Sequence, residues 1–320
     1  MFGLSSVWKS AKTKDGFQIL NEYEKIGVPG IELEYRITAE MFEQVKKGIR
    51  SSSLQILSLH NYCPHPEILP LEKRSGDALM LTATDKNERK LAVKYSKRTI
   101  QNAADLEAKA VVFHIGRILG MEREEEQWFA LLEKSKFKDS EGQKFFNQTM
   151  RKREQVKQPY FDAVLKSLDE LNEEAIKRGI ELGIENRYYW DEFPNIDEVE
   201  VILNYFRGGN LGYWHDVGHA QAHETYGLTT HEEFLKRYAG QLIGCHLHDC
   251  KEAGYRDHFA PGTGWINYDM IQKYLPENAI RIIEVHPKVT AGELRDGIQF
   301  FVYIILKRDH ISLEKYTTFY

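Results

Sequence analysis

The chain has 320 residues, of which 42% are hydrophobic and 28% are charged, and its mean hydropathy is −0.51. This composition is typical of a soluble globular protein and excludes extensively disordered and fibrous classes. With 43 basic and 48 acidic side chains the net charge is −5, which gives no general attraction for nucleic acid or for an anionic membrane. We therefore expect no membrane partner, and nucleic acid is the weaker of the remaining partner classes.

No apolar stretch approaches the roughly 18 residues that cross a bilayer, and the first residues lack the pattern of a secretory signal. The sequence therefore predicts a cytoplasmic location. The three cysteines, Cys63, Cys245 and Cys250, show no CxxC spacing. An odd set of this kind excludes a disulfide framework and a thiolate zinc site.

Short runs rich in β-branched and aromatic residues alternate with longer amphipathic stretches, which is the pattern of βα units. Strands are predicted near 2–7, 30–35, 54–60, 110–115, 180–186, 211–216, 241–248 and 280–285. Helices are predicted at 13–26, 38–50, 88–108, within 122–178, and at 195–206, 230–239, 267–275 and 291–307. Eight strands, each followed by a helix, predict the α/β class and a (β/α)8 TIM barrel, with a doubly wound sheet as the alternative.

The barrel is expected to form a single domain over residues 1–320, because no internal repeat or Pro-rich linker divides the chain. Residues 120–178 are too many for a simple crossover after the fourth strand. They predict a helical insertion beside the active site, with an ordinary solvated helical face as the alternative reading. The C-terminal tail, 308–320, is expected to cover the barrel or to reach a partner subunit.

Ionisable side chains occur where the predicted strands end, and in a TIM barrel the chemistry lies at these carboxyl ends. Seven of the eight strands close on a residue that can bind a metal or transfer a proton: Glu34, His60, His114, Glu185, Asp216, His246 and Glu284. A single histidine at a strand end is usually structural. Seven such residues in register favour a catalytic centre.

The last four strands would direct Glu185, Asp216 and Glu284 toward one axis. Carboxylates about 4 Å apart repel by roughly 4 kcal/mol per pair at an effective dielectric constant of about 20. Protonation of one carboxyl could relieve this repulsion, but His246 beside them favours a divalent cation. Three oxygen donors and one imidazole suit Mn, Zn, Co or Mg, and the sequence does not choose among these metals.

More polar residues are expected around the same end of the barrel. His219 follows Asp216 by three residues, and His248 follows His246 by two. The segment GYRDHFAPGTGWINY after the seventh strand contains a Pro-Gly turn and can direct Arg256, Asp257 and His258 inward. Candidate substrate-binding residues are Arg117, Arg187 and Arg256, for their guanidinium donors, and Trp214, as a stacking ring within one of two aromatic-rich stretches.

The motifs IENR, HDVGHA, CHLHD, RDHFAPGTGWI and IIEVH follow one another at the predicted strand ends. In this order they resemble the xylose isomerase-like TIM-barrel superfamily, which includes sugar phosphate isomerases and epimerases and AP endonuclease family 2. The resemblance extends from about residue 30 to 300 and is strongest over 180–290. The amino-terminal half alone carries a weak signal.

The resemblance to ketose 3-epimerases implies that Glu185, Asp216, His246 and Glu284 bind one divalent metal. It further implies that Glu185 and Glu284 are the catalytic residues that exchange the substrate proton. By the same likeness His219 contacts a substrate oxygen and Arg256 binds substrate. His248 matches no ligand of that group.

The endonuclease branch uses up to three metals. Likeness to it implies a second metal held by His60, His114 and the bridging Glu185. His219 and His258 match the histidines of its third metal. Arg256 stands where that branch has an aspartate, and Asp257 is shifted by one position, so this chain departs from the third-metal pattern.

The residues and the resemblance together predict a divalent-metal-dependent isomerase or epimerase that acts on a sugar or sugar derivative through an enediolate. The alternatives are a metal-dependent phosphodiester hydrolase of the endonuclease IV type, a dehydratase or lyase with the same metal site, and a binding module without activity. A carbohydrate is the expected partner, and association into a homo-oligomer is left open.

Overall fold

The computed structural model describes residues 1–133, 139–251 and 256–309. Eight parallel strands form a closed barrel in the order β1, β2, β3, β4, β6, β8, β9 and β12. Their bounds are Phe2–Ser5, Gly30–Leu33, Gln55–His60, Ala110–Phe113, Glu181–Glu185, Leu211–Asp216, Leu242–Leu247 and Ile280–Ile283. The predicted TIM barrel and all eight predicted strands are therefore confirmed, and the doubly wound alternative is excluded.

Helices surround the barrel. They are α1 Val7–Ser10, α2 Gly16–Ile26, α3 Ala39–Gly48, α4 Lys86–Asp105, α5 Glu122–Glu133, α6 Ser140–Val156, α7 Gln158–Arg178, α8 Ile196–Tyr205, α9 Val217–Tyr226, α10 His231–Tyr238, α11 Tyr268–Tyr274 and α12 Ala291–Asp309. Short 3-10 helices occupy Ile49–Ser51, Leu71–Lys73 and Ala239–Gln241. Most of the predicted tail lies outside the described residues, since the structure describes the chain only as far as residue 309.

Helix α9 is absent from the sequence prediction. Its buried residues include Val217, His219, Ala220 and His223, so polar histidines take positions where an apolar stripe would be expected. A helix buried around most of its circumference gives no clear 3.6-residue hydrophobic period. The helix follows directly from β8, whose last residue, Asp216, caps it by accepting a hydrogen bond from the His219 backbone N–H.

Apolar side chains fill the barrel interior below its carboxyl end. This inner group consists of Leu57, Ala110, Val112, Trp214, Ile280 and Ile282. The Trp214 ring fits there because Gly183 and Gly244 lie against it, and a Cβ atom on either glycine would collide with the indole. Parallel strands that are buried on both faces need such near-continuous apolar runs. This packed apolar layer lies beneath the ionisable residues at the strand ends.

Two short antiparallel pairs extend beyond the barrel at its carboxyl end. Strand β5, Gly116–Arg117, pairs with β7, Glu192–Phe193, and β10, Asp249–Lys251, pairs with β11, Arg256–Phe259. The Asp249 carboxylate holds the second extension in place by accepting backbone hydrogen bonds from the residue that follows it and from two more distant positions, 262 and 266. These extensions form part of the wall around the site.

Within the part of the chain that the structure describes, no helix is both long and apolar enough to span a membrane.

Candidate metal centre and active site

His246, near the end of β9, lies at the centre of a buried group of carboxylates. Its Nδ1 atom is 3.0 Å from Glu185 Oε1 and 3.1 Å from Glu284 Oε2. The third carboxylate, Asp216, lies 3.8 Å from the same nitrogen through Oδ2. The structure therefore brings together the four residues for which the sequence predicts metal ligation.

The other side of the His246 ring faces a carboxylate that the sequence analysis missed. Glu32, within β2, lies 3.1 and 3.2 Å from His246 Nε2 through its two oxygens, and it is fully buried. Ser58 donates a further hydrogen bond to Glu32 at 2.8 Å. Because Glu32 holds a proton on Nε2, Nδ1 is the nitrogen that would present a lone pair to a cation, which is how second carboxylates orient metal-binding histidines. An acidic residue inside the apolar strand GIEL was the available signal.

The cluster of buried carboxylates around His246 needs compensating positive charge. Burial alone would raise the pKa of Glu185, but His114 and His246 lower it to well below its ordinary value. Burial likewise works against a charged His246, yet Glu284, Glu32 and Glu185 raise the pKa of that ring well above its ordinary value. The same electrostatic field that favours a proton on the imidazole favours a divalent cation among the carboxylates.

A second group of ligand atoms meets on the far oxygen of Glu185. Its buried Oε2 atom lies 2.9 Å from His114 Nε2 and 3.4 Å from His60 Nε2. The Nδ1 atoms of both rings face oxygen acceptors, Asp77 for His114 and the Asn61 carbonyl for His60. At neutral pH the His114 ring is protonated, since Asp77 and Glu185 raise its pKa to about 9, and its Nε2–H donates to Glu185. In their neutral forms both rings would direct an Nε2 lone pair toward Glu185, and such a convergence of acceptors fits a cation.

Asp77 holds the second group from outside. It lies in the long irregular segment between β3 and α4, where no strand end or helical period marks it, so the sequence analysis missed it. Its Oδ2 atom is 3.3 Å from His114 Nδ1 and 3.2 Å from Arg187 Nη2. Arg187 also donates to Glu192 at 2.7 Å. The carboxylate thereby orients the histidine, while the guanidinium balances its charge.

The two histidines predicted for a third metal lie apart from each other. The ring centroids of His219 and His258 are separated by 6.4 Å, and His219 Nδ1 lies 2.9 Å from the Asn186 carbonyl oxygen. The residues whose ligand atoms come within 4.8 Å of one another are instead Asp216, His248 and His258. His248 therefore belongs to the site, although the sequence resemblance gave it no role.

The residues predicted to bind substrate have different environments. Arg187 is 5% exposed and ion-paired, and Trp214 is fully buried beneath His246, with ring centroids 5.2 Å apart. Arg117 is half-buried, 3.5 Å from Asp191. Arg256, on β11, is exposed. Arg256 is thus the most accessible of the four, whereas Trp214 lies in the apolar layer of the barrel interior.

Glu34 ends the second predicted strand but faces a different environment from the other strand-end residues. Its carboxylate accepts hydrogen bonds from Ser10 and Arg36. Two residues earlier, Glu32 contacts His246. This strand therefore contributes Glu32 to the site, and Glu32 lies two residues, one full period of the strand, before Glu34.

Loading the chain with Zn²⁺ at neutral pH is expected to release protons. Burial works against a charged His246, but Glu284, Glu32 and Glu185 outweigh it and raise the pKa of this ring well above its ordinary value, so the ring holds a proton on Nδ1 near neutral pH. A cation among Glu185, Asp216 and Glu284 needs the Nδ1 lone pair and must displace this proton, hence its affinity should increase as the pH rises. Calorimetric titration in buffers of different ionisation enthalpy measures the release.

The His114→Asn variant is the control for this titration and should still release the proton of His246, because His114 lies outside the group around His246. Heats of binding that do not depend on the buffer would contradict the expectation.

Fold and site together define a (β/α)8 barrel with a cluster of carboxylates and imidazoles at the carboxyl ends of its strands. The model of the xylose isomerase-like TIM barrel family matches residues 20–137 and 141–302. The chain therefore belongs to this family, as its motifs indicate.

A segment of 130 residues is 32% identical to an uncharacterized protein of Methanocaldococcus jannaschii. The match covers 40% of this chain and 47% of that protein, so the chain matches about half the length of this relative.

Solved structures share the fold at low sequence identity. A D-tagatose 3-epimerase-like protein superposes with a TM-score of 0.69 at 18% identity, over 97% of this chain and 98% of its own. An L-ribulose 3-epimerase gives 0.67 at 14% identity, over 96% and 94% of the two chains. The IOLI protein, solved with a bound zinc atom, gives 0.65 at 15% identity, over 97% and 99%. At these identities the superpositions establish the common fold.

Proposed function

We propose that this protein is a divalent-metal-dependent isomerase or epimerase of a sugar or sugar derivative. One observation carries the proposal: two glutamates, Glu185 and Glu284, contact the same nitrogen of His246 at 3.0 and 3.1 Å in a buried site. Paired carboxylates beside one cation site are suited to removing and returning a proton next to a carbonyl group.

The residues that would hold the cation are Glu185, Asp216, His246 and Glu284. When bound, the cation supplies a Lewis acid that stabilises negative charge on substrate oxygens and thereby acidifies the neighbouring C–H bond. Mn, Zn, Co and Mg all suit this donor set. The zinc atom of the similar IOLI structure supports a divalent metal in a barrel of this kind.

The two glutamates divide the proton transfer. Either Glu185 or Glu284 removes the proton from the carbon beside the carbonyl, and the electron pair left behind forms an enediolate. In an epimerase the other glutamate, which starts protonated, returns a proton to the opposite face of that carbon, and exchange with solvent then resets both carboxyls. In an isomerase the first glutamate returns its proton to the neighbouring carbon while the proton of the substrate hydroxyl moves to the former carbonyl oxygen, so the proton balance closes without a co-reactant.

The substrate class is supported by His219 and by the similar structures. Because His219 Nδ1 faces the Asn186 carbonyl, the neutral ring carries its lone pair on Nε2 and can accept the proton of a substrate hydroxyl. The similar structures include a D-tagatose 3-epimerase-like protein, an L-ribulose 3-epimerase and a D-psicose 3-epimerase. A ketose is therefore the first substrate to test.

Deuterium exchange tests the proposal. The purified protein with Mn²⁺ or Co²⁺ is incubated in D2O with a panel of ketoses and their phosphates, and NMR detects label on the carbon beside the carbonyl. We expect exchange that a chelator abolishes and added metal restores. The absence of exchange with every sugar and polyol would overturn the proposal, whereas loss of water from a substrate would identify a dehydratase or lyase.

A phosphodiester hydrolase is the second candidate, and the convergence of His60 and His114 on Glu185 favours it. Hydrolases of this type use paired cations to stabilise the attacking and leaving oxygens. Chelator-sensitive nicking of DNA with abasic sites, without exchange of any sugar, would establish this alternative. Under the isomerase proposal the His114→Asn variant keeps its deuterium exchange, because His114 is absent from the group around His246.

A further inference from the structure

His248 lies between the carboxylate of Asp216 and the backbone of β11. We propose that His248 is a positioning residue: held by the backbone of His258, it donates a hydrogen bond that fixes Asp216 as a metal ligand. The inference rests on the metal site of the proposed function. It assigns a role to a side chain that the family resemblance leaves without one.

The hydrogen bonds of the ring determine which nitrogen carries the proton. The backbone N–H of His258 donates to His248 Nδ1 at 3.0 Å. A backbone amide can only donate, so Nδ1 must present its lone pair, and a neutral ring then carries its proton on Nε2. His248 Nε2 lies 3.2 and 3.1 Å from the two oxygens of Asp216. The ring therefore donates to Asp216.

This tautomer prevents His248 from acting as a metal ligand, although its ring lies among the proposed ligands. Both ring nitrogens are engaged, one as an acceptor and one as a donor, so neither has a lone pair free for a cation. The cluster of Asp216, His248 and His258 consequently does not form a metal site while β11 keeps this position. The contact acts on the orientation of Asp216 instead.

Three further contacts hold His248 in place, two of them on its ring and one on its backbone. Gly218, at the start of α9, makes room for it, since a Cβ atom there would collide with the ring. Tyr268 donates to the His248 carbonyl at 2.9 Å. The His258 ring stacks on it with centroids 4.2 Å apart, and His258 adopts a left-handed backbone with φ of 60°. The ring is thus fixed between α9, β11 and the start of α11.

The hydrogen bond from His248 restricts the rotation of the Asp216 carboxylate. Asp216 Oδ1 also accepts the backbone N–H of His219 at 2.7 Å, so donors fix the carboxylate on one side. Its Oδ2 atom faces His246 at 3.8 Å, where the proposed cation binds. Contacts that orient metal ligands in this way typically change metal affinity by about 10–100-fold.

Two amide variants of His248 test the inference. In His248→Gln the side-chain nitrogen can take the place of Nε2 and donate to Asp216. In His248→Asn the amide ends near the place of Nδ1 and cannot reach Asp216, although the variant is equally polar. Cobalt titration followed by visible absorption and by calorimetry gives affinity, stoichiometry and ligand geometry without any substrate.

We expect His248→Asn to lower cobalt affinity by about 10–100-fold at unchanged stoichiometry and to alter the absorption spectrum. The His248→Gln variant should keep most of the cobalt affinity and an absorption spectrum close to that of the unmodified chain. The inference is overturned if His248→Asn binds cobalt as the unmodified chain does. It is also overturned if both variants lose one equivalent of cobalt, because His248 would then be a ligand.

A chain that binds no cobalt before any substitution would overturn the proposed metal site itself. That outcome differs from failure of the inference alone, because in the latter case the unmodified chain still binds cobalt normally.

Discussion

Replacing Glu185 by glutamine is expected to remove both metal binding and catalysis. Its Oε1 atom contacts His246 at 3.0 Å, and its Oε2 atom contacts His114 at 2.9 Å. Glutamine supplies one oxygen and one N–H donor, so it cannot present lone pairs on both sides. Loss of the proton transfer alone should lower the rate of deuterium exchange by about 10²–10⁴-fold. Metal content after dialysis and exchange rate together measure the effect.

Glu181→Gln is the matched control for Glu185→Gln. It makes the same change on the same strand, at the end away from the site, where residue 181 is exposed. The Glu185→Gln chain should melt earlier than the unmodified chain when both are free of metal, because it loses the charged contacts of Glu185 with His114 and His246 that lower the pKa of this carboxyl. Full metal content and normal exchange in Glu185→Gln would contradict its assignment as a ligand and catalytic residue.

Glu284→Gln is expected to abolish epimerisation while leaving part of the exchange. Glu284 follows β12 and contacts His246 Nδ1 at 3.1 Å, and its amide form can still offer an oxygen to a cation. If the two glutamates work on opposite faces of the substrate, loss of one should lower the rate of interconversion by about 10²–10⁴-fold. The epimer that presents its proton to Glu185 should continue to exchange with D2O.

The two epimers of the substrate identified in the ketose panel are therefore tested separately with Glu284→Gln. Glu277→Gln, an exposed change shortly before β12, is the control. Normal interconversion by Glu284→Gln would contradict the two-glutamate mechanism. Equal loss of exchange from both epimers would show that a single carboxylate, Glu284, serves both faces.

The barrel could be predicted from the sequence because its strands are short, apolar and buried on both faces. Runs such as AVVF at β4 and IRII at β12 lie between helices of ordinary amphipathic pattern. In a barrel of this kind the chemistry lies at the carboxyl ends of the strands, so ionisable residues at these positions were candidates for the site. That logic located Glu185, Asp216, His246 and Glu284.

The residues that orient these groups were not predictable in the same way. Glu32 lies inside a strand, Asp77 lies in an irregular segment, and His248 depends on the backbone of β11 for its tautomer. Each owes its role to a partner distant in the sequence, and no local period or motif encodes such a contact. The cytoplasmic location stays a prediction, and association into a homo-oligomer stays open.

The central claim is that a divalent cation makes the buried carboxylate group tolerable. Anomalous diffraction from crystals loaded with Mn²⁺ or Zn²⁺ tests it most directly. We predict a peak among Glu185, Asp216, His246 and Glu284, with a second peak at His60 and His114 only if the hydrolase candidate is correct. A map with no peak among the four residues, in crystals that show metal elsewhere, would contradict the claim.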